Sequence, residues 1–213
     1  MKTCYIFGSL EVKDINLNID ETDLVIAADA GLKNTEKLGI KCDYVVGDFD
    51  SLCYTPQGEN IIKHPVKKDE TDLILAIDIA LEKGYDFFKI YGCIGGRFDH
   101  SYASVQTASY VLQKGAKCIL IGDDIAITML ENDTIIFPTH FKGTISVFAF
   151  TDTCTITEKG LLYELNDSIL SHNYPLGISN EFTGKDAFIS AKKGKACVMW
   201  EDLSEGYTIG GLL

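Results

Sequence analysis

Hydrophobic and polar positions fall into two textures along this chain. In the first part, short and almost uninterrupted apolar runs alternate with amphipathic stretches. "TCYIFG", "DLVIAAD", "DYVVGD", "FFKIYG" and "KCILIG" read as buried strands bounded by turn signals. Between the second and third, "AGLKNTEKLG" reads as a short helix stopped by Gly39. "TDLILAIDIALEKG" is the clearest helix, with Leu73, Ala76, Ile77, Ala80 and Leu81 at helical spacing. Thr71 or Asp69 can cap its start, and Gly84 can end it. A glycine-rich turn, "CIGGRFDH", then leads into a helix over "SYASVQTASYVLQKG". Strands alternating with helices predict a mainly parallel sheet flanked by helices.

Beyond residue 123 the helical pattern fades. "IAITMLE", "DTIIFP", "TISVFAF", "CTITEKG", "LLYEL", "DAFISA" and "KACVMWE" are short strand candidates separated by Gly, Asn, Asp and Pro. Such spacing predicts an all-β sandwich or barrel. The expected organisation is an α/β domain over 1–123 and a β domain over 124–213, with no long linker between them.

Composition narrows the function. The chain has 213 residues, 46% hydrophobic and 23% charged, enough to bury a core. Its net charge of −12 argues against a nucleic-acid partner, because such a surface repels phosphate backbones. Seven cysteines, none spaced as C-x-x-C and most in apolar runs, read as reduced core thiols of a cytoplasmic protein. No apolar run approaches a membrane span, so no membrane partner is expected.

In an open α/β sheet, ligands bind beyond the carboxyl ends of the strands. Asp29 follows the second strand. Gly47, Asp48, Asp50 and Ser51 follow the third. "KKDETD", with Lys67, Lys68, Asp69, Thr71 and Asp72, precedes the clear helix. Arg97, Asp99 and His100 stand in the glycine-rich turn after "KIY". Singly, each has a plain reading: a D-x-D turn, a helix cap at Asp29, Asp69 or Thr71, a solvated lysine face, a helix-start hydrogen bond at His100. Together they place acidic groups at one edge of the sheet. Converging carboxylates repel unless a divalent cation joins them, and Mg²⁺ favours carboxylates plus phosphate oxygens. Metal-assisted phosphoryl chemistry follows, with Arg97 and the backbone N–H groups of "GCIGGR" available to phosphate. If the strand stays extended through Phe49, Asp48 and Asp50 share one face.

The motifs "AADAGLKN", "DYVVGDFDSL", "HPVKKDETDLILAIDIA", "YGCIGGRFDHSYASVQ" and "GISNEF", in this order from about residue 27 to 182, resemble those of the thiamine pyrophosphokinase family. The resemblance implies an N-terminal α/β domain, a C-terminal β domain, and a homodimer with its active site between the α/β domain of one chain and the β domain of the other. It implies transfer of a diphosphoryl group from ATP to thiamine, giving AMP and thiamine diphosphate. By similarity, Asp48, Asp50 and Asp69 hold Mg²⁺ or orient the hydroxyl, with Asp29 and Asp72 close candidates. Catalysis falls to Asp48, Asp50, Asp69 and Asp72. ATP falls to Asp29, Ser51, Lys68, Thr71, Arg97, Asp99 and His100. Thiamine falls to Gln106, Ser179 and Asn180. Ala30 stands where the family often has glycine, a change that is harmless unless the position needs positive φ. Thiazolium is a permanent cation and suits an acidic edge. Trp200, the only tryptophan, lies in a strand pattern that favours core packing over ring stacking on a ligand. Other metal-dependent nucleotidyl or glycosyl transferases use D-x-D, and a non-catalytic binding module is a third reading. Such transferases do not need "KDETD" together with "GGRFDH", and a pure binder has no reason to keep three carboxylates near phosphate.

Overall fold

A computed structural model of the chain describes residues 2–13, 15, 17–49, 60–63 and 71–210. It divides into two compact units, Met1–Asp123 and Asp124–Leu213. No helix among the described residues is long and apolar enough to cross a membrane.

The first unit carries β1 (Thr3–Phe7), β2 (Leu24–Ala28), α1 (Gly31–Leu38), β3 (Tyr44–Gly47), β4 (Ile61–Lys63), α2 (Asp72–Glu82), β5 (Phe87–Tyr91), α3 (Phe98–Gln113) and β6 (Lys117–Ile121). Its strands run in the order β6-β5-β1-β2-β3-β4, and each described pair is parallel. Both faces are covered, which is why the strands read as continuous apolar runs. Tyr5, Phe7, Val25 and Tyr91 cluster on one face with Leu38 of α1 packed against them. Cys4, Ile6, Ile26 and Ile90, alternating with these, are fully buried on the other. β4 has only three residues, too short for a periodic signal.

Local chemistry sets the helix ends. Gly39 closes α1 in the left-handed conformation. The Thr71 hydroxyl accepts a hydrogen bond from the Ile74 N–H at 3.3 Å and caps α2. The helix expected from Ser101 begins instead at Phe98, with Asp99 in its first turn. An acidic residue there favours the helix N-terminus, so "FDH" is helix rather than turn. Gly31 opens α1 hard against β1, where a Cβ would collide with the Phe7 carbonyl oxygen.

The second unit is strand-rich and antiparallel: β7 (Ala126–Phe137), β8 (Thr144–Ala149), β9 (Thr153–Lys159), β10 (Leu165–Ser171), β11 (Asn180–Glu181), β12 (Ala187–Trp200) and β13 (Thr208–Ile209). Two pairs of expected strands prove to be single strands. "IAITMLE" and "DTIIFP" join as β7 through Asn132, at φ +48°; "DAFISA" and "KACVMWE" join as β12 through Lys193 and Gly194. The two polar interruptions face each other, with the Lys193 N–H donating to Asn132 Oδ1 at 3.4 Å, and they form a bulge rather than turns. "LLYEL" is not a strand: Leu161 makes only an isolated bridge to Phe182, Leu162 and Tyr163 are exposed, and β10 begins at Leu165. Trp200 is fully buried, edge-on to Phe137 at 5.3 Å, and so packs the core. No disulfide joins cysteines among the described residues.

The tight seat of Gly31 gives a direct check. Gly31→Ala should lower stability by at least ~3 kcal/mol in urea denaturation followed by circular dichroism. An unchanged midpoint would rule out the close contact.

Candidate active site

Three carboxylates meet at the carboxyl edge of the first unit's sheet. Asp29 follows β2 directly and is buried, with φ +48°. Its N–H donates to the Val46 carbonyl at 2.8 Å, which ties it to β3. Gly47 ends β3 at φ +153°, and a Cβ there would lie 3.1 Å from the Asp29 Cα. Only glycine lets the end of β3 lie this close, and Asp48 comes next. Asp72 is the first residue of α2, set by the Thr71 cap. Carboxylate oxygens of Asp29, Asp48 and Asp72 lie within 4.8 Å of one another.

Charges this close repel. At 4.8 Å and an effective dielectric near 20, each ionised pair costs on the order of 3 kcal/mol. Asp29 Oδ1 is buried with no hydrogen-bond partner among the described residues. A backbone held in a sparsely populated region together with an orphaned buried oxygen marks a site where folding alone does not satisfy the groups. The all-oxygen donor set fits a hard divalent cation, which would turn the repulsion into attraction.

The geometry revises some of the sequence reading. The chain leaves the extended conformation at Phe49, which has φ +66° and packs with Ala27, Ala30 and Val45. Strand alternation therefore stops at Phe49. Asp29 does not cap α1: Ala30 occupies the N-cap position, and no side chain bonds there. Ala30 has φ −65°, so it fits without strain. Asp50, Ser51, Lys67, Lys68 and Asp69 lie outside the described residues.

The turn after β5 is braced from α3. Ser101 Oγ accepts from the Gly95 N–H at 3.0 Å and lies 2.9 Å from the Gly95 carbonyl. Ser104 Oγ donates to the Cys93 carbonyl at 2.8 Å. Arg97 grips Asp99 through two contacts, Nε–Oδ1 at 3.1 Å and a second guanidinium nitrogen to Oδ2 at 2.6 Å. That guanidinium holds the Asp99 carboxyl below its usual range. Both side chains are solvent-exposed, so the pair contributes little to stability and leaves Arg97 within reach of an incoming anion. His100 and Gln106 are exposed further along α3.

In the second unit, Ser179 is exposed at φ +60° and its N–H donates to Ser146 Oγ at 3.0 Å. Asn180 is buried, and its carboxamide is fully occupied. Nδ2 donates to Glu158 Oε2 at 2.7 Å and to the Tyr163 carbonyl at 2.6 Å, and Oδ1 accepts from the N–H groups of Tyr163 and Glu181 at 2.9 Å each. This residue fixes the segment around it.

Known proteins resemble both parts of the chain. The thiamin pyrophosphokinase catalytic domain matches residues 15–120, and the thiamin pyrophosphokinase vitamin B1 binding domain matches residues 133–196. Thiamine pyrophosphokinase of Bacillus subtilis (strain 168) is 32% identical over 200 residues, covering 86% of this chain and 89% of that protein. The chain belongs to the thiamine pyrophosphokinase family. The crystal structure of thiamine pyrophosphokinase from Bacillus subtilis superposes with a TM-score of 0.82 at 29% identity, covering 95% of this chain and all of that one. Thiamin pyrophosphokinase from Candida albicans shares the fold, with a TM-score of 0.73 at 14% identity over 94% of this chain and 89% of that one. As a thiamine pyrophosphokinase family member, the protein is a transferase.

Sequence reasoning missed two polar residues of this family member. Asn34 lies on the buried face of α1 at helical spacing from Gly31 and Leu38, and a polar residue on an inner face was the available signal. Glu158 shares the inner face of β9 with Cys154 and Ile156, and that two-residue alternation was the available signal; it is 1% exposed, and Oε1 has no partner among the described residues. Burial pushes its carboxyl up to about 7, opposed in part by the Asn180 hydrogen bond. A carboxyl raised on folding stabilises most at low pH, and that contribution disappears as pH climbs from about 4.5 through about 7. Glu158→Gln should flatten this dependence and be more stable than the parent at pH 8 by ~1–3 kcal/mol. Thermal melts of both proteins from pH 5 to 8 check this, and parallel curves would contradict it.

Proposed function

We propose that this protein transfers the diphosphoryl group of ATP to the hydroxyethyl oxygen of thiamine. The bond between the α-phosphate's bridging oxygen and the β-phosphorus breaks, a bond from the thiamine oxygen to that phosphorus forms, and AMP leaves. The observation that carries this reading is the convergence of Asp29, Asp48 and Asp72 on the sheet edge that also bears the glycine-rich turn. Family membership supplies the substrates.

Asp48 and Asp72, with Asp29, would hold Mg²⁺, and Asp50 and Asp69 complete the acidic set. When bound, Mg²⁺ would supply positive charge that offsets the charge of the phosphates. A carboxylate of the cluster accepts the hydroxyl proton of thiamine as the new bond forms. Arg97 exchanges part of its contact with Asp99 for a phosphate, and Lys68, Thr71, Ser51 and His100 serve the same nucleotide. Gln106 and Ser179 meet thiamine, while Asn180 acts by holding the segment that presents Ser179. The thiazolium cation suits the acidic surface.

Incubation with ATP, Mg²⁺ and thiamine should yield AMP and thiamine diphosphate. ADP as the product would make the enzyme a simple kinase and end this reading. The double variant Asp48→Asn with Asp72→Asn should lose about 10²-fold or more in kcat. Its far-ultraviolet circular dichroism should match the parent's, so that the loss reads on chemistry. Retained turnover would remove both residues from the mechanism.

The same proposal includes a homodimer and a cytoplasmic location. Leu162, Tyr163, Ile169, Tyr174, Leu176 and Ile178, all exposed within one stretch of the second unit, support a buried face in an assembly. The lack of a disulfide among the described residues suits a reducing compartment. Light scattering should give twice the chain mass, and Ile169→Lys with Tyr174→Asp should give the chain mass. A monomeric parent protein would refute the dimer.

A further inference from the structure

We infer that Asn34 is a positioning residue for the glycine-rich turn, acting through residues 8–12. This rests on the proposed role of that turn in meeting the phosphates of ATP.

Residues 8–12 leave β1 at the sheet's carboxyl edge and continue its pairing beyond the strand. The Gly8 N–H donates to the Tyr91 carbonyl at 2.8 Å, and the Leu10 N–H donates to the Gly92 carbonyl at 3.0 Å. The loop is therefore bonded to the start of the glycine-rich turn. On its other side Asn34 behaves like a short piece of neighbouring strand. Its Nδ2 donates to the carbonyls of Gly8 and Leu10, both at 2.8 Å, and its Oδ1 accepts from the Val12 N–H at 3.0 Å. Asn34 is 5% exposed, so water cannot substitute for these bonds. Two acceptors and one donor are matched by a carboxamide of this length. Aspartate offers no donor, and glutamine is one methylene too long.

The loop then passes its position to the turn by contact. The Leu10 side chain lies under Gly95 and Gly96: a Cβ at Gly96 would sit 3.0 Å from Leu10 Cδ2, and one at Gly95 would sit 3.7 Å from Cδ1. Ser101 and Ser104 hold the turn from α3, and Leu10 bounds it from the β1 side. The opposite end of this chain of contacts is α1, which starts two residues after Asp29. Asn34 thus fixes the turn relative to the helix that follows a carboxylate of the cluster. A displaced turn weakens the hold on nucleotide and leaves thiamine binding alone.

The test uses the full chain with Asn34→Ala, Leu10→Ala and the double variant, measuring KM for each substrate, kcat and the melting temperature. Asn34→Ala should raise KM for ATP about tenfold with KM for thiamine within about twofold. Leu10 is only half-buried, so Leu10→Ala should fold and raise KM for ATP roughly threefold to fivefold. The double variant should match Asn34→Ala, because both act along one route. If Asn34→Ala fails to fold, Leu10→Ala decides. An ATP KM within about twofold of the parent in Leu10→Ala, or additive effects in the double variant, would overturn the inference. So would a fall in kcat that tracks loss of folded protein with both KM values unmoved. A parent protein that makes no AMP would defeat the underlying reading and this inference with it. Normal AMP formation with unmoved ATP constants defeats only the inference.

Discussion

Mutual repulsion among Asp29, Asp48 and Asp72 is the constraint around which the first unit is arranged. Three acidic side chains would separate if the backbone allowed it. It does not, because each is anchored by a different device: a strand-end hydrogen bond to Val46, the bare glycine at 47, and the threonine cap of α2. Parallel strands bring their carboxyl ends to one edge, so residues distant in sequence become neighbours without long connections reaching across the sheet. Strain at Asp29 and its orphaned oxygen are tolerated because β1, β2 and β5 are buried on both faces and over-determine the position.

Much of this was legible from the chain. The parallel strands, α1 and α2 followed from apolar runs and their stop signals, because a sheet covered on both faces leaves an unmistakable pattern. The acidic edge followed from listing what comes after each strand. The actual partnership was harder to see. Asp29 reads as a helix cap until its φ is known, and Phe49 reads as extended for the same reason. Conformation at single residues depends on tertiary contacts, here the approach of β3 to Asp29, that no periodicity encodes. The start of α3 was hidden by the preceding glycines, which signal a turn more loudly than one aspartate signals a helix N-terminus.

In the second unit, polar interruptions inside β7 and β12 imitate turns, and exposed Leu162 and Tyr163 imitate a strand. Both errors share a cause: a short window cannot tell a bulge from a loop, or a surface apolar residue from a core one. Glu158 and Asn180 show the reverse case. Their polarity suggests exposure, whereas a mutual hydrogen bond allows both to be buried.

The paired interruption of β7 and β12 also limits how the length of this chain can change. Residues 192, 193 and 194 lie opposite Asn132 alone, a surplus of two. Because side chains alternate with a period of two, an even surplus preserves which residues point inward on either side. Losing or gaining one residue here would exchange the two faces of β12 on one side of the bulge, putting Ile189 and Ala191 where Ser190 points, or Ala196 and Val198 where Cys197 points. Descendants of this sequence can therefore shed the bulge in a single two-residue step, but not one residue at a time.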